Sequence, residues 1–251
     1  MSLKNIALFI TFLLGLFLVI GGVFAFFLKK KPKVLDFIFA FAFAILLMLI
    51  LMDLLPEIME LLGIQYLSYF LIFTLVGIFL LQRLDMFIPD HHDHKMTKEE
   101  SKNNISHIGL LTTIALILHN ILEGMAIFLA ASSDLSLGLM MSIGVGFHNI
   151  PLGIIIGSTF YQSETKQKKF VLLMILLCFS SFIGGLIPYL LHINEVNNVV
   201  MGSLLSLTLG MLIYIAFFEL LARVKESKNK KITLGGFVVG VLVLLLASFI
   251  S

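Results

Sequence analysis

His119 and Glu123 stand four residues apart in ALILHNILEGMAI, residues 115–127. A second histidine, His148, opens HNIPLG, residues 148–153. Four residues is about one helical turn, so the imidazole and the carboxylate at 119 and 123 project from one helix face. Both stretches are otherwise apolar. An ionised group in such surroundings costs about 3 kcal/mol on membrane-insertion scales, so something must offset it. Imidazole nitrogen with carboxylate oxygen is the donor set that Zn²⁺ accepts, and Fe²⁺ or Mn²⁺ less specifically. Asn120 and Asn149 add amide oxygens one residue on. A bland alternative is a buried His–Glu hydrogen bond that merely fastens two helices. The doubling of the pattern favours the metal reading.

The elements that must position these groups are membrane helices. Of 251 residues, 59% are hydrophobic and 13% charged, against about half and a quarter in soluble domains. Eight apolar stretches are expected to span the bilayer: 5–28, 34–63, 65–82, 107–131, 136–161, 169–192, 198–223 and 232–250. Each approaches or exceeds the roughly 20 residues that a spanning helix needs. The first is long and is followed by KKKPK (29–33), so it reads as an anchor with its N-terminus outside rather than a cleaved signal. With that orientation, all but Lys4 of the 17 lysines and arginines fall in inner loops, as the positive-inside rule requires. Both termini are then extracytoplasmic. The charge is a topology signal and no nucleic acid is expected as a partner. Cys178 has no second cysteine to pair with. Residues 1–251 form a single transmembrane domain, with a cytoplasmic histidine-containing loop at 83–106.

On this topology, and at 1.5 Å per residue, His119, Glu123 and His148 lie about 18, 24 and 20 Å from the inner ends of their spans. They share one layer near mid-membrane. Pro151 frees the Phe147 carbonyl close by. HNILEG and HNIPLG lie in antiparallel spans and are therefore inverted copies. MDLLPE (52–57) and FELLAR (218–223) form a weaker inverted pair. Spans 1–3 and 6–8 thus read as inverted repeats around a central pair, a 3+2+3 arrangement typical of secondary transporters.

The paired motifs resemble those of the Zrt/Irt-like (ZIP) divalent-metal transporters, which carry His-Asn-x-x-acid-Gly in span 4 and His-Asn-x-Pro-Glu-Gly in span 5. MDLLPE in span 2 and GMLIYIAFFELL in span 7 are also similar to that family, and the likeness covers essentially the whole chain. It implies that His119, Asn120, Glu123, His148 and Asn149 ligate a transported ion, most simply zinc carried into the cytoplasm. Two departures stand out: the family's span 5 glutamate falls on Leu152, and a span 6 glutamate falls on Phe182 in SSFIGG. Glu123 is then the only formal negative charge, and one deep ion rather than two is expected.

Asp53 and Glu57, with Glu60, sit where they could gather cations at the outer mouth. Glu219 could receive a departing ion, and His91, His92 and His94 could chelate metal in the cytoplasm. Met48 shares the depth of His119. His107 and His192 fall at span ends and read as interfacial. Gly124, Gly153, Gly184 and Gly185 suit close helix approach. Partners expected are divalent metal ions and the lipid bilayer, and a homodimer is compatible with the sequence. No organic cofactor and no catalysis are expected. The rival readings are a metal-binding sensor that does not transport, and a zinc-dependent intramembrane hydrolase, for which the deep ligands are too few.

Overall fold

The computed structural model describes residues 2–25, 27, 32–87, 98–163 and 167–248. Among these residues every regular element is helical. In chain order they are α1 (Leu3–Ala25), α2 (Pro32–Met48), a π-helix (Leu49–Leu54), α3 (Leu55–Leu62), a 3₁₀ turn (Ile64–Tyr66), α4 (Leu67–Phe87), α5 (Lys98–Ser133) and α6 (Leu135–Gln162). They continue with α7 (Gln167–Leu190), α8 (Asn198–Tyr214), a second π-helix (Ile215–Leu220), α9 (Leu221–Glu226) and α10 (Lys230–Ser248). The elements α2, π and α3 are continuous as span 2, and α8, π and α9 as span 7. Seven helices among the described residues are long and apolar enough to cross a membrane. The eighth, α10, has 19 residues, a length of about 28 Å at 1.5 Å per residue, close to the hydrocarbon thickness. The chain is an all-α, multi-pass membrane protein. Helices α4 and α5 both run into the 83–106 stretch, leaving residues 88–97 between them.

The turn Ser133–Leu135, the turn at Gly63 and the segment 191–197 share one end of the molecule. Contacts there include Lys4 Nζ donating to Asn194 Oδ1 at 2.9 Å and Tyr189 Oη donating to Asn5 Oδ1 at 3.2 Å. Arg83, Lys168, Lys169, Arg223, Lys225, Lys228, Lys230 and Lys231 collect at the other end, called the basic end below. There Asn229 donates to Asp36 at 2.8 Å.

Two four-helix groups emerge from the packing. Helices α1, α5, α6 and α7 form one; span 2, α4, span 7 and α10 form the other. The pairings have an internal correspondence: α1 packs on α6 as α7 packs on α5, and span 2 packs on α10 as span 7 packs on α4. That is the pattern that an inverted repeat of spans 1–3 and 6–8 around the α5–α6 pair produces. Small residues permit it. A Cβ at Gly124 would overlap the Ser181 carbonyl, and one at Gly184 would overlap the Ile121 carbonyl, so α5 and α7 touch backbone to backbone. Gly153 meets the Leu18 carbonyl in the same way across α1 and α6. In a bilayer, where lipid is as apolar as leucine, such close approach is a main source of helix association.

The two π-helices match across the repeats. Asp53 is the fifth residue of one and Glu219 the fifth of the other. In span 2 a cause is visible: Pro56 at the start of α3 cannot donate to Met52 and crowds the turn before it. Single π-turns inside helices are frequent at functional sites.

Candidate metal centre

The α5–α6 hairpin builds the site. Asp134 caps α6, its Oδ1 accepting from the backbone N–H of Ser136 at 2.8 Å and of Leu137 at 3.3 Å. Gly138 lies so close to Ala131 that no side chain would fit. The two helices leave this turn tightly packed, and His148 of α6 comes to face Glu123 of α5. Glu123 Oε1 lies 2.9 Å from His119 Nε2 and 3.1 Å from His148 Nε2. The second contact is a hydrogen bond; the first has the distance but not the alignment of one. One ligand atom from each of the three residues lies within 4.8 Å of the other two. Ligands about 2.1 Å from a tetrahedral Zn²⁺ sit about 3.4 Å apart, so small side-chain shifts would close the set around an ion.

The cluster is largely buried and short of protein partners. His119, His148, Asn120 and Asn149 are buried. Glu123 Oε2, His119 Nδ1 and both polar atoms of each asparagine amide make no hydrogen bond to the protein. Buried polar atoms are nearly always paired, and a cluster that leaves this many free is built for something other than its own stability. A plain His–Glu fastening of two helices does not account for the idle amides.

A cavity of about 240 Å³ reaches the cluster from the end that carries the Ser133–Leu135 turn. It is lined by Asp53, Glu57, Glu123, Met141, His148 and Leu244, among others. Asp53 Oδ2 lies 3.8 Å from His148 Nδ1, with its side chain 38% exposed. Span 2 thus brings Asp53 and Glu57 to the cavity wall, and the site lies where the two four-helix groups meet. Glu219 sits in the span 7 π-helix, toward the basic end. His91, His92 and His94 lie outside the described residues.

Leu152 is fully buried in the main apolar core, and Phe182 packs edge-on against Phe12 and Phe179. Both positions are sealed with hydrocarbon. Met48 is partly buried and packs against the same core. His192 adopts a left-handed backbone, φ 53°, in the exposed turn after α7. His107, near the start of its span, is buried against the neighbouring helices, and its Nε2 lies 2.6 Å from Asp85 Oδ1. Neither this pair nor the π-helices were legible beforehand. Asp85 in LLQRLDMF, a lone acid at the end of a span, was the one available signal.

Residues 89–248, more than half of the chain, match the family model described as ZIP Zinc transporter. Proteins named Zinc transporter ZupT are similar along much of their length. The Streptococcus mutans protein is 27% identical over 67% of this chain and 66% of its own length. The Clostridium perfringens protein is 26% identical over 95% and 93%. The Stenotrophomonas maltophilia (strain R551-3) protein is 28% identical over 94% and 91%. A buried two-histidine, one-carboxylate cluster between inverted repeats, together with this match, establishes that the chain belongs to the ZIP family of zinc transporters.

Proposed function

We propose that this protein carries divalent metal cations, zinc foremost, across the cell membrane into the cytoplasm, and that His119, Glu123 and His148 bind the ion in transit. The observation that carries the reading is the cluster itself: three ligand atoms in mutual reach, buried, at the foot of a cavity. Asn120 and Asn149 supply amide oxygens beside it. Asp53 and Glu57 draw cations into the cavity and help strip their water. Glu219, its counterpart in the repeat, takes the ion toward the basic end, where His91, His92 and His94 then receive it. The lysine distribution makes the basic end cytoplasmic and the cavity end external.

Movement of one helix group against the other would close the cavity and open the far side, as expected of inverted repeats around a midplane site. With Leu152 and Phe182 apolar, one ion binds at a time. Glu123 leaves the occupied site at a formal +1 when both histidines are neutral, which favours release. The ion is cargo and no catalysis is needed; the relatives named above carry transporter names. The protein works as a monomer or a homodimer in the bilayer.

The test is radiolabelled zinc uptake into proteoliposomes, with iron, manganese and cadmium as competitors. Saturable uptake inhibited by competing ions is the expected result. Bound zinc with no flux would favour a metal sensor, and turnover of a lipid or peptide by tightly held zinc would favour a hydrolase.

A further inference from the structure

The polar cluster around Asp85 lies outside the metal site and no transport step uses it. His107 Nε2 contacts Asp85 Oδ1 at 2.6 Å, and Tyr214 Oη donates to Asp85 Oδ2 at 2.6 Å. Both carboxylate oxygens are thereby engaged. His107 and Tyr214 are buried, among Leu81, Ile105, Ile108, Leu111 and Leu212 of the main core. Asp85 itself is 25% exposed at the edge of the core, so the cluster is buried on the His107 and Tyr214 side and open to solvent on the carboxylate side.

Their placement is informative. His107 belongs to α5, in the group that carries His119, Glu123 and His148. Asp85 on α4 and Tyr214 on span 7 belong to the other group. The contact thus joins the two groups. It does so twelve residues from His119, about 18 Å along α5, on the side away from the cavity.

The internal repeat adds a second argument. Exchanging the repeats converts α5 into α6, α4 into α10 and span 7 into span 2. The cluster is made by α5, α4 and span 7. Its counterpart is the junction of α6, α10 and span 2, where the structure instead has an open cavity lined by Met141, Leu244 and Asp53. One junction is open, and the equivalent one is fastened.

From this juxtaposition we propose that Asp85, His107 and Tyr214 form a latch that holds the second mouth of the pathway shut while the first is open. The latch must part before the metal site can be reached from the basic end. Apolar residues alone would seal that end, but a carboxylate held by two donors on two elements adds direction. The contacts are short-ranged and geometrically demanding, so they are lost within a small displacement of α5 and cannot be kept through the movement.

The inference rests on the carrier reading, and the experiment separates the two. In the full chain with Cys178→Ser, a reporter cysteine is placed at Thr112 or at Met141. Thr112 is buried two turns below His119 on the same face of α5, between the site and the latch; Met141 lines the open cavity. Maleimide labelling rates are measured in detergent for the parent, Asp85→Asn, His107→Gln and Tyr214→Phe, and zinc uptake is measured in liposomes for the same proteins. Loss of the latch is expected to raise Thr112→Cys labelling about tenfold and to lower Met141→Cys labelling in parallel, the signature of a shifted two-state balance. Tyr214→Phe removes one hydroxyl and keeps the Asp85–His107 contact, so it still folds if the others do not and should give a smaller shift in the same direction. Labelling unchanged at both positions, or rising at both as general loosening would make it, overturns the latch. A reciprocal shift without uptake by any of the proteins would keep the latch and remove the carrier reading.

Discussion

Replacing Glu123 with glutamine keeps the shape of the side chain and removes its charge, and it is the most direct test of the metal centre. Glu123 Oε1 lies within 2.9 and 3.1 Å of the two imidazoles, and its side chain is 12% exposed. Truncating one member of a buried charge interaction costs about 2–5 kcal/mol. At about 1.4 kcal/mol per factor of ten, even 3 kcal/mol weakens zinc binding more than 100-fold. Asp53 is the comparison. It lies 3.8 Å from His148 and is 38% exposed, so solvent screens it and Asp53→Asn should cost about 1 kcal/mol, roughly a fivefold effect. The assay is initial zinc uptake against zinc concentration in proteoliposomes, with elution profiles confirming that both variants fold. Glu123→Gln should raise KM by two orders of magnitude or abolish flux, while Asp53→Asn should shift KM several-fold with kcat nearly intact. If Glu123→Gln transports within threefold of the parent while Asp53→Asn does not transport, the ion binds at the mouth and the reasoning about the deep cluster is wrong.

Other expectations follow from the same geometry. Leu152→Glu places a second carboxylate on α6 four residues after His148; it should bind more metal per chain in equilibrium dialysis, and an unchanged stoichiometry would mean that the position does not face the site. Gly124→Ala drives a methyl group into the Ser181 carbonyl, and backbone cannot yield as a side chain can. A loss of about 3 kcal/mol should appear as a clearly lowered Tm in detergent, and an unchanged Tm would mean that α5 and α7 are less closely packed. Metal binds neutral imidazole, so acidifying the cavity side should lower uptake. Uptake that climbs steadily on acidification would instead indicate proton coupling through other groups.

Local rules carry far in this chain. A spanning helix is set by the length of an apolar run, and each of the eight expected runs coincides with a helical span, because the bilayer forbids unpaired backbone; the helices of spans 3 and 4 continue past the apolar runs, to Phe87 and back to Lys98. The shared face of His119 and Glu123 follows from four-residue spacing. The inverted relation of the two HN motifs follows from consecutive spans running in opposite directions. The apolar character of Leu152 and Phe182 needs no coordinates at all. Other features depend on which helices touch. His148 meets Glu123 across 25 residues, and Asp85 reaches His107 across 22 and Tyr214 across 129. No periodicity encodes those separations; they follow from glycines that let particular backbones come together. The π-turns at Asp53 and Glu219 were hidden for a related reason, since one extra residue in a turn leaves the apolar pattern almost unchanged and shows only in the hydrogen bonds. The chain by itself determined what the membrane demands of each segment and which groups are chemically out of place there. The packing of two four-helix groups decided which of those groups meet, because a contact between distant segments is a property of the whole arrangement.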